Sequence, residues 1–216
     1  MKISTLLLTL VTMAAPMFAD CNPAINSRGL VSTRGTVELA TNVCPMSAAD
    51  KGKLFLRHTD SAFNIVAAAG TAGIWQATET GNQGFGQGWD AYGARFGAAL
   101  ANRESGDLFK TFVFSSALRM DPRYFRKGSG GFGSRLGYAM TRVIVGRTDA
   151  GRSTINTPEI VGNLASAGLS NVYYPDSDRT VARTMESAGL NIAADAGWNV
   201  LKEFGPELRR IFHLRK

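Results

Sequence analysis

Histidine and cysteine are nearly absent, with two of each in 216 residues. Two cysteines cannot complete a zinc site alone, and His58 and His213 stand at no ligand spacing from them, so no metal centre is expected. Charge is scarce too. Charged residues make up 19% of the chain against 44% apolar, which excludes a disordered chain and an ordinary highly charged cytosolic protein. Seven prolines are too few for a proline-rich linker. The chain holds no G-x-S-x-G elbow, no H-E-x-x-H, no Walker loop and no close carboxylate pair on one helix face. Asp176-Ser177-Asp178 lacks the remaining ligands of a calcium loop and reads as a helix cap. No period of roughly 20 to 50 residues is present, which excludes a helical repeat. Nor is there a series of alternating strands of about 10 residues, as an outer-membrane barrel requires.

What is present begins with a targeting segment. Lys2 gives a positive start, Ile3 to Met13 an apolar run, and Ala14, Ala15 and Ala19 the small residues of a cleavage region. The run is too short to span a bilayer, so residues 1–19 are expected to be a cleaved signal peptide. Asp20 sits where a lipobox needs a small residue, which argues against a lipid on Cys21. Cys21 and Cys44 both fall in the exported part. An even pair in an oxidising compartment predicts one disulfide, worth roughly 3 kcal/mol by loop closure; two free thiols are the alternative.

Residues 20–46 read as an irregular arm, with turn signals at Asn22-Pro23, Arg28-Gly29 and Arg34-Gly35. Leu30-Val31 and Thr36-Val37 could pair there as a small ribbon. Residues 47–216 read as one helical domain. Ser47 caps a helix to about His58. Ser61 to Thr78 runs 18 residues without a charge and predicts a buried central helix, with a lipid-facing one as the alternative. Further helices are expected at about Trp89–Asn102, Asp107–Leu118 and Gly133–Gly146. The flanks of Thr148–Gly151 could instead form a hairpin. Pro122 makes MDPRYF a turn. Thr157-Pro158-Glu159 starts another helix, with a capping hydroxyl and an acid at the positive dipole end. The last long helix should break at Gly205-Pro206. Six or seven helices and little else predict an all-α fold.

Gly128, Gly130 and Gly133 fit G-x-G-x-x-G, but MDPRYFRK before them is not a buried strand, so no nucleotide cofactor is expected. Small residues four apart suggest close helix seams instead. They occur at Gly133/Gly137, Gly93/Gly97, Ala69/Gly73, Gly162/Ser166 and Gly189/Ala193/Gly197. Charge is concentrated nearby. Arg119 to Arg152 carries eight basic residues against Asp121 and Asp149, a net +6 of the chain's formal +7. Arg123, Arg126, Lys127, Arg135 and Arg142 are the anion-binding candidates, with loop amides beside Arg126 and Lys127 able to hold an anion; a solvated basic face with internal salt bridges is the other reading. In an envelope compartment the anions are lipid or glycan groups, not nucleic acid.

One resemblance follows from several motifs taken together. GFGQGWDAYGARFGAA, MDPRYF, NLASAGLSNVYYP and KEFGPELRR, in this order, resemble a group of exported bacterial envelope proteins of no established activity. The likeness covers roughly Lys51 to Arg210 and implies one helical domain. The expectation is a non-catalytic protein of the periplasm or envelope, structural or binding in role, at a membrane surface. It would present a basic face to anionic lipid or glycan. The alternatives are a partly membrane-embedded helical protein, and an enzyme on lipid or cell-wall substrates using His58, Asp121 and Arg123. The sequence leaves the oligomeric state open.

Overall fold

In the computed structural model, residues 36–38, 44–59, 61–78 and 83–211 are described. The expected signal peptide, Cys21 and most of the arm lie outside them, so the expected Cys21–Cys44 bridge does too. The first described element is strand β1, Thr36–Glu38. Helices α1 (Ala48–Thr59) and α2 (Ala62–Thr78) follow, then α3 (Trp89–Asp107). Strands β2 (Met120–Asp121) and β3 (Tyr124–Arg126) lead to α4 (Phe132–Thr141). Strands β4 (Val145–Thr148) and β5 (Ser153–Ile155) precede α5 (Thr157–Ser170) and the long α6 (Val181–Ile211). Helix dominates, as the all-α reading expects.

The sequence sets several of these elements locally. Ser47 and Asp50 form a reciprocal cap: the Asp50 N–H donates to Ser47 Oγ at 3.1 Å, and Ser47 Oγ–H donates to Asp50 Oδ2 at 2.7 Å. Pro158 sits in the first turn of α5, where a missing N–H costs nothing. The residue at the cap is Asn156, which makes no side-chain capping bond, so Thr157 is not the expected cap.

Several further expectations need correction. Helix α3 does not stop near Asn102. It continues through a π-helical stretch, Leu108–Phe114, into Ser115–Ala117. Ser115 Oγ donates to Lys110 O at 2.6 Å, five residues back, which secures the wide turn. MDPRYF is not only a turn: Pro122 bends the chain between two strands, and both pair. β2, β4 and β5 form an antiparallel sheet, realising the hairpin alternative, while β3 runs parallel to β1. Thr36 and Val37 therefore join the helical domain rather than a ribbon of the arm. Helix α6 runs through Pro206 to Ile211. Before that proline, the Glu203 carbonyl accepts from Arg126 Nε at 2.7 Å and Arg135 Nη2 at 2.8 Å, which ties α6 to β3 and α4 there.

Another correction concerns the seams. A Cβ built on Gly93, Gly97, Gly133, Gly137, Gly189 or Gly197 would meet nothing within 4 Å. These glycines face outward. Gly162 is different: a Cβ there would come within 3.0 Å of the Lys110 backbone nitrogen, so the π-helical stretch packs directly on α5. Ser166 continues that contact, 3.6 Å from a Cβ on Gly106.

The core is unusual in content. The largest fully buried side chains are Arg95, Lys51, Glu203 and Asn163, followed by three serines. Half of the buried apolar residues are alanines, while Phe63, Ile65, Val66, Ile74 and Leu190 are exposed. Helix α2 is accordingly not the buried central helix expected. Only Ala68 and Ala72 of it are buried.

Candidate functional site

The loop after β3 does hold an anion, and it is a carboxylate of this chain. Glu203, fully buried on α6, accepts from the amides of Lys127 and Gly128 at 2.9 Å each. Gly128 and Gly130 adopt φ of 67° and 95°, which turns the loop amides toward α6. Arg135 Nε donates to Glu203 Oε1 at 2.9 Å, and the Tyr124 hydroxyl donates to Oε2 at 3.0 Å. Burial alone would raise the Glu203 pKa, but Arg135, the two amides and Tyr124 together hold it below the usual glutamate value. Glu207, one turn on, is bound by Arg135 Nη1 at 2.8 Å and by Arg126 at 3.2 Å.

This geometry locates each expected anion-binding residue. Arg126 and Arg135 are buried against the carboxylates of α6. Arg123 is buried and pairs with Asp121; it also donates to Cys44 O at 2.8 Å. Lys127 donates to Ser134 Oγ at 2.6 Å. The basic segment is therefore folded inward rather than displayed as one face. Arg142, like Lys127, has no carboxylate within ion-pair distance among the described residues; what sets it apart is a buried Nε without a hydrogen-bond partner.

Arg142 borders a cleft of about 820 Å³ that runs between α2, α3, the β-sheet, α5 and α6. One wall is aromatic and cationic. The Arg142 guanidinium lies 4.5 Å from the Tyr138 ring centre, Arg147 4.4 Å from that of Phe125, and Lys202 Nζ 5.7 Å from that of Tyr124. Tyr138 ties the wall together by donating its hydroxyl to Phe125 O at 2.7 Å. Burial lowers the Lys202 pKa, with the more distant Asp195 and Glu159 opposing that shift. Burial raises the Tyr124 and Tyr138 hydroxyls.

The cleft also holds a second cluster. Lys110, on the π-helical stretch, binds Asp195 directly and lies 3.8 Å from Glu159. Asn163 Nδ2 bridges the two acids, 3.0 Å from Glu159 Oε1 and 3.1 Å from Asp195 Oδ2. Burial pushes Glu159 up to about 8, with Lys110 opposing and the Asp195 charge adding to the rise. Burial would also raise Asp195, but Lys110 and hydrogen bonds hold it well below the usual carboxylate range. The pair thus divides its roles, Glu159 keeping a proton while Asp195 gives one up. π-helical turns are common at functional sites, and this one delivers Lys110 to both acids.

His58 lies on the same cleft, with Nδ1 3.0 Å from Asp107 Oδ2, and Thr111 Oγ1 donates to Asp107 Oδ1 at 2.7 Å. The aspartate stands between histidine and hydroxyl, so this is not the order in which a base activates a nucleophile. Asp121 and Arg123 are closed on each other. Tyr173 donates to Asn102 Oδ1 at 2.5 Å, and Tyr174 also bonds Asn102, so these rings dock the end of α5 on α3. Asp178 Oδ2 accepts from the Gly84 amide at 3.2 Å, a structural bond. No group of three or more potential metal ligands is gathered among the described residues.

Sequence reasoning missed Lys110, Glu159, Asp195, Lys202 and Glu203 as a centre. A signal existed. Lys110 is the sole charge between Asp107 and Arg119, and Asp195 the sole charge between Glu186 and Lys202. A lone charge in an apolar run points inward. Compared with family models, curated proteins and solved structures, the chain matches none.

Proposed function

We propose that this is a non-catalytic, exported protein of the bacterial envelope, seated on its membrane by the apolar side of α2. On this reading residues 1–19 are its signal peptide and Cys21 pairs with Cys44. What supports it is the sidedness of α2, which is inverted for a helix in water. Ile65, Val66 and Ile74 are exposed, whereas Phe63, also partly exposed, stacks on Trp198 of α6 with ring centres 4.9 Å apart. Its amide side chains turn to the protein: Asn64 donates to Glu104 Oε1 at 3.0 Å and Gln76 accepts from Arg95, while Thr71 satisfies its hydroxyl within the helix at Ala67 O, 2.8 Å away. No charge interrupts the helix over its 17 residues, about 25 Å of length. On α6, the exposed positions Gly189, Leu190, Ala193, Gly197 and Leu201 add an uncharged strip. An apolar outside over a charged, paired inside is the distribution favoured where lipid is the solvent.

No helix among the described residues is long and apolar enough to cross a membrane. The proposal is therefore insertion into one leaflet, not a span. Washing envelopes of expressing cells with high salt, alkaline carbonate and then detergent tests it. Retention until detergent is expected, with release into carbonate for Ile65→Glu/Val66→Glu. Release of the unaltered protein by salt alone would overturn the reading.

A further inference from the structure

We propose that the cleft binds a phosphoryl group through Arg142, Arg147 and Lys202. The inference does not rest on the membrane reading. Three cations from three elements, the end of α4, β4 and α6, border one cleft. None has a carboxylate within ion-pair distance among the described residues, whereas the buried or nearly buried side chains of Lys51, Lys110, Arg123, Arg126 and Arg135 are each matched in this way. The four acids of the cleft have partners elsewhere: Asp121 with Arg123, Asp195 with Lys110, Glu159 3.8 Å from the same lysine, and Asp107 with His58 and Thr111.

Arg142 adds an independent sign. Its Nε is buried with no acceptor, and a buried guanidinium donor left unmatched is costly unless something binds there. The three rings beneath the cations hold them in place without neutralising them. Two planar guanidinium forks and an ammonium match the several oxygens of a phosphate. The volume of about 820 Å³ leaves room for a glycerol or sugar attached to it.

A phosphoryl group can come from a free small molecule or from a lipid headgroup, and one experiment separates them. Binding of inorganic phosphate and of glycerol phosphate to the purified protein is measured by calorimetry. Binding to vesicles of phosphatidylglycerol is compared with binding to phosphatidylcholine by flotation. The variants are Arg142→Gln/Arg147→Gln and, separately, Lys202→Gln, each checked for an unchanged helical spectrum. Arg183→Gln is the control, since Arg183 is exposed and pairs with Glu186 on the same helix.

The expected result is a loss of about tenfold or more in phosphate affinity in the cleft variants, and none in the control. Binding of the soluble phosphates would identify a free ligand. A preference for phosphatidylglycerol alone, lost in the same variants, would identify the headgroup. No binding to any of these probes, or equal weakening in Arg183→Gln, would overturn the proposal. Insertion by α2 would still carry the protein onto phosphatidylcholine vesicles, so failure here and failure of the membrane reading are distinguishable.

Discussion

Arg135 Nε donates to Glu203 Oε1 at 2.9 Å, across 68 residues of sequence, inside the protein. This bond joins α4 to α6 and brings the glycine loop with it. Removing the carboxylate strands Arg135, Tyr124 and two loop amides together. Glu203→Ala should lower unfolding free energy by about 3–5 kcal/mol, the scale of a broken buried pair. Urea denaturation measures it; a loss under about 1 kcal/mol would mean that the network is not holding the loop.

Glu159 gives stability a pH dependence of opposite sign to that of Glu203. Its folded pKa, about 8, lies above the ordinary value of 4.5. The folded state then binds the proton more tightly than the unfolded chain. That stabilisation is complete below 4.5 and is lost as pH rises through about 8. Lys110, Lys202, Asp195 and Asn163 face the group and set the size of the effect. In melts from pH 5 to 9, Glu159→Gln should gain on the unaltered protein as pH rises. Parallel curves would place Glu159 as an ordinary ionised acid.

Glu203 and Glu207 have depressed values, so their contribution is present above the ordinary 4.5 and is lost as pH falls. Acid unfolding should therefore begin at a higher pH in Arg135→Met, which removes the donor common to both. Far-ultraviolet circular dichroism between pH 2 and 6 reads this directly.

The glycines separate into two classes by the same substitution. Gly162→Ala forces a methyl against the Lys110 backbone at 3.0 Å and should cost about 1–3 kcal/mol. Gly97→Ala meets nothing within 4 Å and should stabilise by about 0.5–1 kcal/mol, since alanine restricts the unfolded chain and favours helix. Thermal melts of both decide it. A large loss at Gly97 would show that this face packs on something.

The sequence alone determined the helical character of the chain. The Ser47 and Thr157-Pro158 starts, the apolar periodicity and the hairpin flanks act over a few residues, so they are legible without a fold. It also located the concentration of positive charge between Arg119 and Arg152. The sequence could not say where that charge points. Whether Arg135 faces solvent or Glu203 depends on a partner 68 residues away. The same holds for the glycines: spacing by four makes a groove, but only packing decides whether a neighbour fills it, as at Gly162, or none does, as at Gly97. The gap expected between a helix ending near Asn102 and one starting near Asp107 is instead continuous helix leading into a π-helical stretch, which lies against Gly162 of α5. The centre of Lys110, Glu159 and Asp195 is likewise a product of tertiary structure. Three charges from separate helices are brought together there, and burial raises one acid while the lysine holds the other down.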